Sequence, residues 1–256
     1  MAGIPDDDPW PPTHGKASSG RALFTGVGAI CKTVVRLSAV DGAAIAVFAP
    51  SQTRELVYAS DALAQRVDDL QFVIGEGPCL DAYRSGAPQS CPRLDTDLQF
   101  SRWPAFCDGA LELGVRAVFA FPVPGPDGAL GVLELYRRST GELAARQFDA
   151  ASICATAVAD TLSKNWATNL LGAIDAVAAI EEISADPAGQ LGSGNQFSRA
   201  RIYVASGMVA VQLGVSADDG LDRLRAYTYA RGRPIDEVAA DILTRRLSLC
   251  DDGNDC

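Results

Sequence analysis

The sequence predicts an α+β fold followed by a small helical bundle, and three observations support this. A helical pattern opens the globular region, two β-hairpin patterns lie among the helices that follow, and the last fifty or so residues hold only short helical patterns. With 256 residues and 48% hydrophobic content, the chain can form one substantial domain and one small one.

The α+β part begins with a helix. Apolar residues recur at helical spacing, namely Leu23, Val27, Ile30, Val34 and Leu37. Two β-prone runs, at 42–49 and 55–60, flank a polar turn and predict a hairpin. Asp61 stands where it can cap a helix that runs to about Leu70.

A second hairpin is predicted further along the chain. Apolar runs at 114–123 and 129–137 are separated by Pro124-Gly125-Pro126-Asp127-Gly128, which consists of turn-forming residues. The order of helices and hairpins predicts an antiparallel sheet flanked by helices.

A long connecting helix is expected after the second hairpin. Apolar residues keep helical spacing from Phe148 to Val177, and a helix over 144–183 would be about 60 Å long. Such a helix extends past one small domain, so its apolar stripe predicts a parallel homodimer. A break at 164–168, giving two helices on the same chain, is the alternative. Residues 186–195 predict a hinge.

The C-terminal segment has three short helical patterns, at about 196–213, 216–230 and 234–247. Gly214 supplies a stop for the first, Ser216 with Asp219 supplies a cap for the second, and Pro234 suits the first position of the third. Helices this short need one another to bury their apolar stripes, so a compact bundle is expected.

The charge is unevenly distributed. The whole chain has a net charge of -10, yet residues 199–249 carry eight arginines against six acidic residues. A basic module on an acidic body can bind nucleic acid only where its arginines point away from that body. The alternative is that these arginines form a solvated helix face.

The C-terminal motifs, taken together and in order, resemble the ANTAR module, a three-helix RNA-binding domain of bacterial transcription antitermination regulators. The motifs are Arg201-Ile202, Ala205-Ser206-Gly207-Met208, Leu213-Gly214-Val215-Ser216, Leu224-Arg225, Ala230-Arg231-Gly232-Arg233-Pro234-Ile235 and Val238-Ala239. Family members usually carry lysine where this chain has Ser206, so one expected RNA contact is missing.

The resemblance implies binding to paired stem-loops in nascent leader transcripts, which prevents a terminator from forming. By motif position and chemistry, the expected RNA-binding residues are Arg201, Ser206, Arg225, Tyr229, Arg231 and Arg233. Stacking of a base on Tyr229 would contribute about 1 to 3 kcal/mol. The alternative role for Tyr229 is to close the core of the bundle.

The α+β part resembles a GAF domain, of the type fused to ANTAR modules in actinobacteria. The motifs are Gly75-Glu76-Gly77-Pro78-Cys79-Leu80-Asp81-Ala82, Arg102-Trp103-Pro104-Ala105-Phe106, the run 117–122 and Leu130-Gly131-Val132-Leu133-Glu134-Leu135-Tyr136. GAF domains are sensory folds with a pocket between the sheet and its helices, so an unknown small ligand is expected there.

Three residues are candidates for this pocket. Cys79 follows a Gly-Pro pair at a helix start, where the helix dipole would favour a thiolate and redox sensing; the alternative is that it packs under the turn. Trp103 and Phe106 could stack on a planar ligand or anchor a loop to the core.

Other functional classes have little support in the sequence. The lone histidine, His14, lies in the N-terminal arm, and GxxxxGK[ST] and GxGxxG motifs are absent, so neither metal, triad nor nucleotide chemistry is expected. Seven cysteines without CxxC spacing argue against a zinc site. A thiol-dependent GAF reductase that uses Cys79, Cys91 or Cys107 is a minor alternative to a non-enzyme.

The predicted organisation is therefore an arm at 1–19, a GAF domain at 20–164, a connector and hinge at 165–195, an ANTAR domain at 196–249 and an acidic tail at 250–256. Long apolar runs and an export signal are lacking, so a cytoplasmic protein is expected. A protein-interaction or sensory module that has lost RNA binding is the alternative function.

Overall fold

The computed structural model describes residues 24–48, 53–170 and 199–249, and it confirms the α+β fold. These residues include five strands: β1 (Gly42–Phe48), β2 (Arg54–Ala59), β3 (Gln89–Cys91), β4 (Ala117–Gly125) and β5 (Gly128–Arg137). They form one antiparallel sheet in the order β2-β1-β5-β4-β3.

Both predicted hairpins are present in this sheet. β1 pairs with β2, and β4 pairs with β5. Because Gly125 still pairs with Gly128, the second turn is a tighter connection than the loop over 124–128 that the sequence predicts. β1 also pairs with β5, which joins the two hairpins into one sheet.

Helices cover both faces of the sheet. Successive side chains of a strand point to opposite faces, and here apolar side chains lie on both. The first face packs on α1 (Val27–Ser38) and α6 (Ala145–Leu170) through residues that include Leu133 and Leu135. The second face, which includes Val132 and Tyr136, lies under α2 (Ala62–Ile74), α3 (Pro78–Ser85), α4 (Asp97–Arg102) and α5 (Pro104–Glu112). Glu134 alternates with Leu133 and Leu135 and therefore lies on the second face.

The predicted helix ends are partly correct. The Asp61 carboxylate caps α2 by accepting hydrogen bonds from the N–H groups of Leu63 and Ala64, each at 2.9 Å. This helix continues past the predicted end to Ile74. In α1, Leu37 is exposed and Ser38 is buried instead, because the Ser38 hydroxyl donates to a backbone carbonyl of α6.

The connecting helix α6 is continuous over 26 residues, or about 39 Å, with no break at 164–168. Its predicted continuation past Leu170 and the hinge at 186–195 lie outside the described residues, as do the arm at 1–19 and the tail at 250–256. Within the described ranges, no helix is both long enough and apolar enough to cross a membrane.

Three helices form the C-terminal bundle: α7 (Arg199–Leu213), α8 (Ala217–Arg231) and α9 (Ile235–Leu243). The predicted stop at Gly214 has a φ of 66°, and the Ser216 hydroxyl caps α8 by accepting from the Asp219 N–H at 3.1 Å. The third helix is shorter than predicted, with Pro234 just before its first residue and its end at Leu243.

The close approach of α8 to α7 depends on Gly220. A Cβ at this position would lie 2.5 Å from the Ser206 carbonyl oxygen, whereas one at Gly207 would meet nothing within 4 Å. We therefore expect Gly220→Ala to destabilise the bundle by about 1 to 3 kcal/mol and Gly207→Ala to stabilise it by up to about 1 kcal/mol. Urea unfolding followed by circular dichroism measures both variants, and a stabilising Gly220→Ala would contradict the packing.

Candidate functional site

Three of the residues predicted to bind RNA lie on the open surface of the bundle. Arg201 on α7 and Arg231 at the end of α8 are exposed. Tyr229 is 70% exposed, while Tyr227 is buried in the bundle core. The tyrosine that closes the core is thus Tyr227, and the ring of Tyr229 is accessible for stacking.

Arg233 is partly engaged by its own module. Its guanidinium lies 2.7 Å from a carboxylate oxygen of Asp241, which also pairs with Arg246 at 2.9 Å. Hydrogen bonds from these two arginines lower the pKa of Asp241. Arg233 and Arg246 therefore share one anion, and the three groups together keep one net positive charge.

Two predicted RNA-binding residues lie away from the open surface. Ser206 is buried, and its hydroxyl donates to the Tyr203 carbonyl at 2.8 Å. Arg225 is 18% exposed, and its Nε donates to the Phe72 carbonyl at 2.9 Å, in the last turn of α2. Burial lowers the pKa of Arg225. The sequence gives no sign that Arg225 contacts the α+β domain.

Arg199, which the sequence analysis did not single out, is fully buried between the bundle and α2. Its Nη2 lies 2.6 Å from an oxygen of Asp68 and 2.8 Å from one of Asp69. Its guanidinium carbon is 4.2 Å from the centre of the Phe72 ring. The two carboxylates raise the pKa of Arg199, so it stays charged although buried. The sequence signal is weak, because a charge at a helix start normally predicts exposure.

Beneath this contact, a buried polar cluster lies on the second face of the sheet. Arg54 pairs with Asp68, and its Nη2 lies 3.3 Å from the Cys79 sulfur. Gln71 donates from Nε2 to Glu134 Oε1 at 2.6 Å and accepts from the Cys79 N–H at 2.8 Å. One chain of polar contacts thus connects β5, α3 and α2.

The electrostatics of this cluster are set mainly by burial. Burial raises the pKa of Glu134 to about 8, and its Oε2 has no hydrogen-bond partner among the described residues. Asp68, Cys79 and Glu134 place ligand atoms within 4.8 Å of one another, a donor set that could hold a divalent cation. The Arg54 guanidinium contacts two of these three groups, so the cluster already contains a cation.

Cys79 is fully buried, a placement that matches the alternative in which it packs under the turn. Burial opposes the effect of the helix dipole and raises the pKa of Cys79 to about 12. Burial also raises the pKa of Cys91 to about 12 and of Cys107 to about 11. The five cysteines in the described ranges are all buried as free thiols. The three thiols named for the reductase alternative, Cys79, Cys91 and Cys107, are thus all buried.

Trp103, which directly precedes α5, and Phe106, in the first turn of α5, are both buried in the core on the second face of the sheet. The Trp103 indole N–H donates to a carboxylate oxygen of Asp81 at 3.1 Å, and Arg102 stacks on the ring at 4.0 Å. Of the two roles considered for these aromatics, their placement matches the anchoring of a loop.

The fold defines a two-part protein, in which a helix-covered antiparallel sheet adjoins a three-helix module. The chain belongs to the GAF domain family, whose model matches residues 27–163, more than half of its length. The ANTAR domain model matches residues 197–243. The two models thus confirm that this is a GAF and ANTAR domain protein.

Solved structures similar to this chain include other GAF domains. The third GAF domain of a Synechocystis protein is 19% identical and covers 58% of this chain and 97% of its own, with a TM-score of 0.45. The GAF-B domain of DevS from Mycobacterium smegmatis is 17% identical, and the match covers 60% of this chain and 99% of that domain, with a TM-score of 0.43. A type II free methionine-R-sulfoxide reductase from Thermoplasma acidophilum is 10% identical, and the match covers 57% of this chain and 96% of the reductase chain, with a TM-score of 0.41. No curated protein matches the chain.

Proposed function

We propose that this protein is a signal-responsive regulator whose ANTAR domain binds paired stem-loops in nascent RNA under the control of its GAF domain. The observation that carries the proposal is the exposure of Arg201, Tyr229 and Arg231 on a bundle whose apolar core comes mainly from its own three helices. Cations that hold phosphates beside an aromatic ring that stacks on a base are what loop recognition requires.

The input is a small ligand rather than a redox state in this proposal, because the described thiols are buried and their pKa values are raised. Binding to nascent transcripts places the protein in the cytoplasm. A homodimer through α6 completes the proposal, and the large apolar side chain of Ile153, exposed on that helix, supports it.

Titration of the full-length protein with a double stem-loop RNA at low salt tests this function. Arg231→Ala is expected to weaken binding about fivefold to tenfold and to reduce the salt dependence by about one counterion, because it removes one phosphate contact. The matched control is Arg93→Ala, which removes an exposed arginine from the GAF domain.

Equal affinities of the two variants would remove Arg231 from the RNA-binding face. If the wild-type protein retains no RNA, or retains it without salt dependence, the protein-interaction alternative is favoured over RNA binding.

A further inference from the structure

The ANTAR bundle takes part of its core from the GAF domain. Phe72, near the end of α2, is buried among apolar residues of the bundle that include Ile202 and Leu224. Its ring meets Tyr203 edge to face at 5.9 Å and lies under the guanidinium groups of Arg199 and Arg225. The GAF domain thus supplies an aromatic anchor to the module that carries the proposed RNA-binding face.

Polar contacts surround this anchor. The Arg199 guanidinium bridges Asp68 and Asp69. The Tyr203 hydroxyl accepts from the Arg54 N–H at 2.7 Å and donates to the Arg54 carbonyl at 3.0 Å. Opening this contact exposes Phe72 to water, but the charged and polar groups around it become hydrated again, which offsets part of the loss.

The bundle can stay folded when this contact opens. Among the described residues, its core is built from the C-terminal segment apart from Phe72 and the partly buried Val73. Its buried residues include Ile202, Val209, Leu224, Val238 and Ile242. The caps of α8 at Ser216 and Gly232 are also local. Opening therefore separates two folded units.

The closed contact is incompatible with full access to RNA. Arg225, one of the residues expected to bind RNA, donates instead to the orphan carbonyl of Phe72 at the end of α2, where the helix dipole favours a cation. The carboxylates of Asp68 and Asp69 already occupy the Arg199 guanidinium, so a phosphate cannot pair with it while the contact is closed.

We propose that α2 of the GAF domain is an intramolecular lock on the ANTAR domain, and that RNA and α2 compete for the surface formed by Arg199, Tyr203 and Arg225. This inference rests on the proposed function. Asp68 links the lock to the GAF interior, because it pairs with both Arg199 and Arg54, and Arg54 contacts Cys79. A change on the second face of the sheet thereby alters the group that holds the lock closed.

Asp69→Lys in the full-length chain opens the lock from its GAF side. Asp69 is 26% exposed and contacts Arg199 at the edge of the contact, so a lysine places a like charge there without disturbing the GAF core. The matched control is Asp127→Lys, which makes the same charge change at the exposed β4–β5 turn. We expect Asp69→Lys to bind a double stem-loop RNA about tenfold more tightly than the control, since a larger fraction of molecules is competent to bind.

Amide hydrogen exchange reports the lock independently of RNA. The Arg54 N–H donates to Tyr203, so its exchange measures opening of the contact. Asp69→Lys is expected to speed this exchange while the amides of β4 and β5 keep their wild-type rates. Equal acceleration throughout the sheet would overturn the lock, because the two domains would then open as one folding unit.

The RNA measurements separate the two proposals. If the Arg54 amide exchanges faster but Asp69→Lys binds RNA no more tightly than Asp127→Lys, the lock is wrong, while wild-type binding still supports the proposed function. If the wild-type protein and both variants all fail to bind RNA, the proposed function fails and RNA competition with it.

Tyr203→Phe, which removes only the bridging hydroxyl, is a milder second variant. We expect its affinity for the double stem-loop RNA to rise twofold to threefold, and an unchanged affinity would also overturn the lock.

Discussion

Asp68→Ala is expected to lower the free energy of unfolding by about 3 to 5 kcal/mol. Asp68 is buried, and its two oxygens pair with the buried guanidinium groups of Arg54 and Arg199. A guanidinium cannot lose its charge to relieve desolvation, so alanine leaves two buried cations with too few partners. The cost is large because one carboxylate serves both cations.

Urea denaturation followed by circular dichroism measures this loss, with Asp95→Ala as its matched control. Asp95 pairs with Arg93 on the surface, where both side chains are exposed. Breaking that pair is expected to cost less than about 1 kcal/mol. Similar losses in the two variants would mean that burial of the Asp68 pairs contributes nothing to stability.

The local features of the fold could be predicted from the sequence. The cap at Asp61, the cap at Ser216 and the stop at Gly214 each depend on a side chain or backbone angle within a few residues. The two hairpins are also local, since turn formers separate β-prone runs. Such features follow from short-range sterics and hydrogen bonding, which the sequence shows directly.

The contact between the domains could not be predicted in the same way. Arg54 and Arg199 lie 145 residues apart along the chain, and each is a charge at the start of an element, where exposure is the normal expectation. Phe72 fits the apolar pattern of α2 and gives no sign that its neighbours belong to another module. Only tertiary pairing with Asp68 explains why these arginines are buried.

Cys79 shows how burial can reverse a local argument. Its position near the start of α3 favours the thiolate through the helix dipole, but desolvation outweighs this effect and raises the pKa of Cys79 to about 12. The polar contact of Glu134, by contrast, could be predicted from the sequence. A glutamate between Leu133 and Leu135, in a strand flanked by helices, requires a buried partner.

Glu134 is expected to make the stability of the protein fall as pH rises from about 4.5 to about 8. In the folded state burial raises the pKa of Glu134 from 4.5 to about 8, helped by the negative charge of Asp68 and opposed by Arg54. Between these values the folded state holds a proton that the unfolded state has lost, so raising the pH favours unfolding. The loss over the whole window is on the order of 3 to 5 kcal/mol.

Glu134→Gln removes this titration and keeps an acceptor for the Gln71 side chain, which donates to Glu134 at 2.6 Å. Urea unfolding at several pH values should therefore show the variant equal to wild type near pH 4 and more stable by about 3 kcal/mol at pH 8.5. Glu112→Gln, at an exposed glutamate of α5, makes the same chemical change and should leave the wild-type pH dependence intact. Parallel curves for Glu134→Gln and wild type would show that the carboxyl of Glu134 does not hold its proton in the folded state, and the Arg54 cation would then be its counterion.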